Sequence, residues 1–146
     1  MGYRRILVPV SGESDDERAL DLAGLLAAKK HAEVTLVYVV EGRQALPLDA
    51  DMPQAVATGE AALQRAEDYA RHRGEHRLGK VALELLQART AGAAIVDEAI
   101  ERDVDIIVMS CRNRAHLGQV TTGDTVPYVL KNAPCEVVLT RCGEEE

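Results

Sequence analysis

A chain of 146 residues can bury about two-thirds of its unfolded surface in one core and is short for two, and with 47% hydrophobic residues but no Phe or Trp that core must be aliphatic. A formal net charge of −7 with no basic stripe argues against nucleic acid as a partner. Three cysteines without close pairing argue against a disulfide framework or zinc motif, and no apolar run reaches the ~20 residues of a membrane span, so the expected location is the cytoplasm.

The first strand is expected over residues 4–10, where Ile6, Leu7, Val8 and Val10 form the near-continuous apolar run of a strand buried on both faces. Pro9 fits only near its end. Ser14-Asp15-Asp16-Glu17 has the spacing of a capping box, in which the Ser14 hydroxyl accepts from the Glu17 amide, and a helix should follow over 15–30. The acidic cluster Glu13, Asp15, Asp16 and Glu17 is what a helix dipole attracts into a first turn, and it is read as that rather than as a cation site.

A second strand is expected over 33–40 and a long loop over 41–53, which contains Pro47 and Pro53. Apolar residues at helical spacing then predict a helix over 54–73. The remaining expectations are a strand over 81–86, a helix over 91–102, a strand over 104–109, a loop over 110–123, a helix over 124–131 and a strand over 135–140.

Strict βαβαβαβαβ alternation specifies the α/β class: a single-domain, open, twisted parallel sheet with helices on both faces, Rossmann-like, over 1–143, with an acidic tail at 144–146. In such sheets ligands bind beyond the carboxyl ends of the strands, where the winding reverses. Those ends are Val10-Ser11, Val39-Val40 and Met109-Ser110.

Ile6-Leu7-Val8-Pro9-Val10, the segment from Ser14 to Leu20, Val37-Tyr38-Val39-Val40, Asp105-Ile106-Ile107-Val108-Met109 and the ending Tyr128-Val129-Leu130-Lys131-Asn132-Ala133-Pro134-Cys135-Glu136-Val137-Val138 together resemble the universal stress protein family. The resemblance implies five strands in the order 3-2-1-4-5. It also implies a nucleotide site at Pro9, Ser11, Val39, Met109, Ser110, Arg112, Asn113, Gly123, Asp124 and Thr125.

Family members that bind ATP share Gly-x-x-Gly followed, a short stretch later, by Gly-Ser or Gly-Thr. Here Ser110 and Asn113 take the first two glycine positions, Gly123 keeps the third, and Asp124 takes the hydroxyl position. Glycines let backbone amides approach phosphate, and the hydroxyl adds a neutral donor at a helix start.

A carboxylate at Asp124, ~5 Å from a phosphate at an effective dielectric of about 20, repels it by roughly 3 kcal/mol before screening. As a helix N-cap, Asp124 would also occupy the amides that otherwise hold phosphate. Ser11 stands where the family's nucleotide binders carry Asp. ATP is therefore the ligand the resemblance names, and Ser11 and Asp124 are set against it.

No catalytic residue set and no metal-ligand spacing stands out, since His31, His72, His76 and His116 fall on different expected elements. The strand over 135–140 is a sheet edge too apolar at Val137, Val138 and Leu139 to stay unpaired, so a homodimer through that edge is expected. A protein partner would suit the same non-catalytic, regulatory role in stress response that the resemblance implies.

Overall fold

The computed structural model describes residues 2–29, 31–42, 52–112, 114–116, 119–121 and 124–142. Its elements in chain order are β1 (Arg5–Pro9), α1 (Asp16–Leu26), β2 (Glu33–Glu41), α2 (Pro53–Asp68), β3 (Val81–Ala88), α3 (Ala91–Glu101), β4 (Ile106–Arg112), β5 (Arg114–His116), β6 (Gln119–Thr121), α4 (Thr125–Asn132) and β7 (Glu136–Cys142). A π-helical turn, Tyr69–Arg73, extends α2.

Five strands form one parallel sheet in the order β3-β2-β1-β4-β7, which is 3-2-1-4-5 counted over the sheet's own strands. Register pairs Ile6 with Val34 on one side and with Ile106 on the other. The winding reverses between β1 and β4, as expected.

Side chains of these strands alternate between two aliphatic layers, because successive Cβ atoms point to opposite faces. Ile6, Val8, Val34, Leu36, Ile106 and Val108 join Ala19, Leu20 and Ala23 of α1 and Leu63 and Ala66 of α2. Leu7, Val37, Ile107 and Met109 join Ile95, Val96 and Ala99 of α3 and Val126 and Val129 of α4. Leu7, Leu36, Ile106 and Ile107 are fully buried, each stabilising the fold by about 1.5–3 kcal/mol relative to exposure.

The sequence expectations need four corrections. Helix α1 stops at Leu26 rather than residue 30, because Ala27 turns extended and bridges Tyr3: the Tyr3 amide donates to the Leu26 carbonyl and the Ala28 amide to the Tyr3 carbonyl, both at 2.9 Å. Its N-cap is Asp15 rather than Ser14, and the Glu17 amide donates to the Ser14 backbone carbonyl at 3.1 Å instead of the expected hydroxyl. Strand β4 runs past Met109 to Arg112, since Ser110, Cys111 and Arg112 pair with Thr140, Arg141 and Cys142. What was expected as a loop after residue 109 also contains an antiparallel ribbon, β5 with β6.

The expected 41–53 loop lies outside the described residues from 43 to 51, and the 144–146 tail lies outside them entirely.

Candidate functional site

A cleft of about 630 Å3 opens at the carboxyl ends of β1, β2 and β4 and at the start of α4. Val39, Ile95, Met109 and Val126 give it an apolar wall, which continues the second core layer to the carboxyl end of the sheet. Its polar side is made by Ser11, Glu13, Asp15, Asp16, Glu41, Ser110 and Thr125.

Six of the ten expected site residues line this cleft: Pro9, Ser11, Val39, Met109, Ser110 and Thr125. Asn113 and Gly123 lie outside the described residues, as does the Arg112 side chain. Asp124 is described, is exposed, and is not part of the lining. It is the N-cap residue of α4 without a side-chain cap hydrogen bond, so the expected capping of phosphate-binding amides is corrected. An exposed carboxylate is also screened, which reduces the repulsion expected of it.

The residue that sequence reasoning missed is Asp16. Its carboxylate is buried, and it accepts from the Ser11 amide at 2.9 Å, the Gly12 amide at 2.8 Å and the Ser11 hydroxyl at 3.2 Å. One side chain in the first turn of α1 thus ties down the connection that leaves β1. The Arg65 guanidinium of α2 donates to the Gly12 carbonyl at 3.2 Å from the other side.

Gly12 itself has φ +88°, a left-handed conformation that L side chains rarely adopt, so glycine is required for this turn. The signal in the sequence was Ser-Gly after a strand with a carboxylate just beyond. A helix dipole was sufficient reason for that carboxylate, and the second role stayed hidden.

Burial pushes the Asp16 carboxyl above the ordinary carboxylate range, against the lowering effect of the two amides and the hydroxyl it accepts from, and the neighbouring Asp15 charge adds to the rise. The Ser11 hydroxyl already donates to Asp16 and accepts from the Glu13 amide at 3.2 Å. A hydroxyl has one donor and two acceptor positions, which leaves Ser11 a single acceptor position for a ligand.

Glu13, Asp15, Asp16 and Glu41 are the charged groups of the described lining; it holds no Lys, Arg or His. No group of three or more His, Cys, Asp or Glu among the described residues is placed to hold a metal ion. Cys111 is buried in the second core layer, and burial raises the Cys135 thiol above its ordinary range. No described helix is long and apolar enough to cross a membrane.

A universal stress protein of Methanocaldococcus jannaschii is 27% identical over 150 aligned positions, covering 99% of this chain and 85% of the relative. The structure of the universal stress protein from Archaeoglobus fulgidus superposes with a TM-score of 0.74 at 25% identity, covering 94% of this chain and 98% of that one. A structure of the universal stress protein from that organism in complex with dAMP gives a TM-score of 0.71 at 23% identity, covering 95% and 98%. The model of the universal stress protein family matches residues 2–141, and the chain belongs to that family.

Proposed function

We propose that this stress-response protein is a non-catalytic regulator whose cleft is impaired for nucleoside triphosphates and which acts as a homodimeric interaction module in the cytoplasm. The observation that carries the reading is the charge of the cleft, whose described lining has four carboxylates and no cation. A triphosphate brings several negative charges, and each unit pair at ~6 Å and an effective dielectric of about 20 costs roughly 3 kcal/mol before salt screening. Ser11, already engaged by Asp16, offers a nucleoside little in return.

The dimer rests on β7, the sheet edge beside β4. Val137, Val138 and Leu139 are only half-buried there, and the Thr140 hydroxyl is buried without a hydrogen-bond partner. An apolar edge of this kind is stabilised by pairing with a second chain.

The alternative is a nucleotide-binding regulator using residues 110–125. The cleft volume of about 630 Å3 favours it, lying within the roughly 300–1,000 Å3 of small-ligand sites. The dAMP named for the Archaeoglobus fulgidus structure makes an adenine nucleotide the ligand to try.

Calorimetric titration with ATP and dAMP separates the two readings. An impaired site gives no saturable ATP binding in the unaltered protein and a gain in affinity when lining carboxylates are neutralised, as in Glu13→Gln with Glu41→Gln. Tight ATP binding by the unaltered protein, abolished by Gly123→Val, establishes the alternative.

A further inference from the structure

A second cleft, of about 1150 Å3, lies at the other end of the sheet, where the strands begin. Its walls are the segment that leaves α1 and enters β2 and the segment that follows the π-helical turn and enters β3. Lys29 and His31 come from the first wall, and His76, Arg77 and Lys80 from the second. The histidines that look scattered in the sequence are thus half gathered by the fold.

In the described lining, three permanent cations and two imidazoles face one carboxylate, Glu33. Glu33 is itself within 3.7 Å of the Arg5 guanidinium, so its charge is already offset. None of Lys29, Arg77 or Lys80 forms an ion pair with a described residue. In a chain of net charge −7, an uncompensated cationic cleft runs against the overall field and attracts anions locally.

The two walls are fixed to each other. A Cβ at Gly24 would fall 2.0 Å from the His76 carbonyl oxygen, so α1 and the 76–80 segment approach as closely as backbone allows. The Leu78 amide donates to the Ala70 carbonyl at 2.8 Å, and the Glu75 amide to the Asp21 carboxylate at 3.2 Å, which anchors the second wall at two further points. Cations on a rigid cleft lose less entropy on meeting a ligand than cations on free loops.

We infer that this amino-end cleft is a binding site for a soluble anion carrying two or more phosphate groups, separate from the carboxyl-end cleft. Phosphate suits the donor set, since the Arg77 guanidinium presents a planar fork, the lysines present point charges, and the imidazoles add donors. Cations on both walls favour an anion of several charges that spans them. Confinement to one cleft of an acidic protein favours a small molecule over a nucleic acid.

Isothermal titration of the full chain with inorganic tripolyphosphate, with amide shifts followed by NMR, tests the assignment. Expected are saturable binding that weakens with salt, shifts concentrated at residues 28–33 and 76–80, and at least a tenfold loss of affinity in the triple variant Lys29→Gln, Arg77→Gln, Lys80→Gln. Circular dichroism melting of that variant should match the parent, since none of the three has a described ion pair to lose. Absence of binding at millimolar tripolyphosphate, unchanged affinity in the triple variant, or shifts confined to residues 9–16 and 37–41 would overturn it. So would capture by phosphatidylserine vesicles with no response to tripolyphosphate, which would assign the cations to a membrane surface.

Discussion

Replacing Asp16 with Ala removes an acceptor that serves the Ser11 amide, the Gly12 amide and the Ser11 hydroxyl at 2.9, 2.8 and 3.2 Å. Hydrogen bonds to a charged group contribute about 1.5–3 kcal/mol each, and an unpaired buried amide costs about 1–3 kcal/mol. Against this stands the cost of holding a buried carboxylate ionised, which the variant no longer bears. The Ser11 hydroxyl can rotate to another partner, while the two amides are fixed by the turn. A net loss of about 2–4 kcal/mol follows. Urea unfolding at neutral pH measures it, as a drop in midpoint of about 1–4 M for a slope of roughly 1–2 kcal/mol/M. A midpoint unchanged within error would refute the claim that Asp16 holds this turn.

Comparison of Asp16→Asn with the parent across pH isolates the ionisation. Because the folded-state pKa is raised, the folded protein holds the proton more tightly, and the stability this adds is lost as pH rises from the ordinary carboxylate value through the raised one. The parent should therefore lose ground to Asp16→Asn as pH rises above the ordinary carboxylate value; a difference independent of pH in urea midpoints would contradict the shift. Gly12→Ala has room for its methyl, 3.4 Å from the Ala62 Cβ, so the left-handed backbone sets the cost at about 1–2 kcal/mol. Thermal melting should fall by about 2–4 °C per kcal/mol, and an unchanged melt would show that the turn adopts another conformation. Arg102 binds Glu98, donates to Glu84 at 2.6 Å and reaches the Thr35 hydroxyl at 3.4 Å, joining α3 to β3 and β2. Arg102→Met strands the nearly buried Glu98 carboxylate and should cost about 1–3 kcal/mol by urea unfolding, with Arg102→Lys recovering only part; equal stability of all three proteins would refute the network.

The sheet was legible because its signals are local and redundant. Runs such as Ile6-Leu7-Val8 and Ile106-Ile107-Val108 leave no choice but burial on both faces, and the alternation with helices then gives a parallel sheet, whose strand order came from the family resemblance. Element ends were less legible where a distant partner decides them. Nothing near Ala27 announces that Tyr3 will pair with it and stop α1, and nothing near Ser110 announces that Thr140 will extend β4. A cleft opens at the strand ends that the winding rule names, and Pro9, Ser11, Val39 and Met109 line it. Its charge was misplaced. Asp124 stood out because it breaks a motif, while Asp16 and Asp15 blend into an ordinary acidic first turn and Glu41 into a strand end, yet these three line the cleft and Asp124 does not.

The hold of Asp16 on Ser11 couples two positions that a motif comparison treats as independent. The family's nucleotide binders carry Asp where this chain has Ser11, so the obvious way to restore that chemistry is Ser11→Asp. In this protein the change would bring a second carboxylate against the buried Asp16 oxygen that the Ser11 hydroxyl now reaches at 3.2 Å. Two carboxylates so close do not both ionise, and one would be held protonated or pushed out of the turn. An aspartate at position 11 is thus accommodated only together with loss of the charge at position 16.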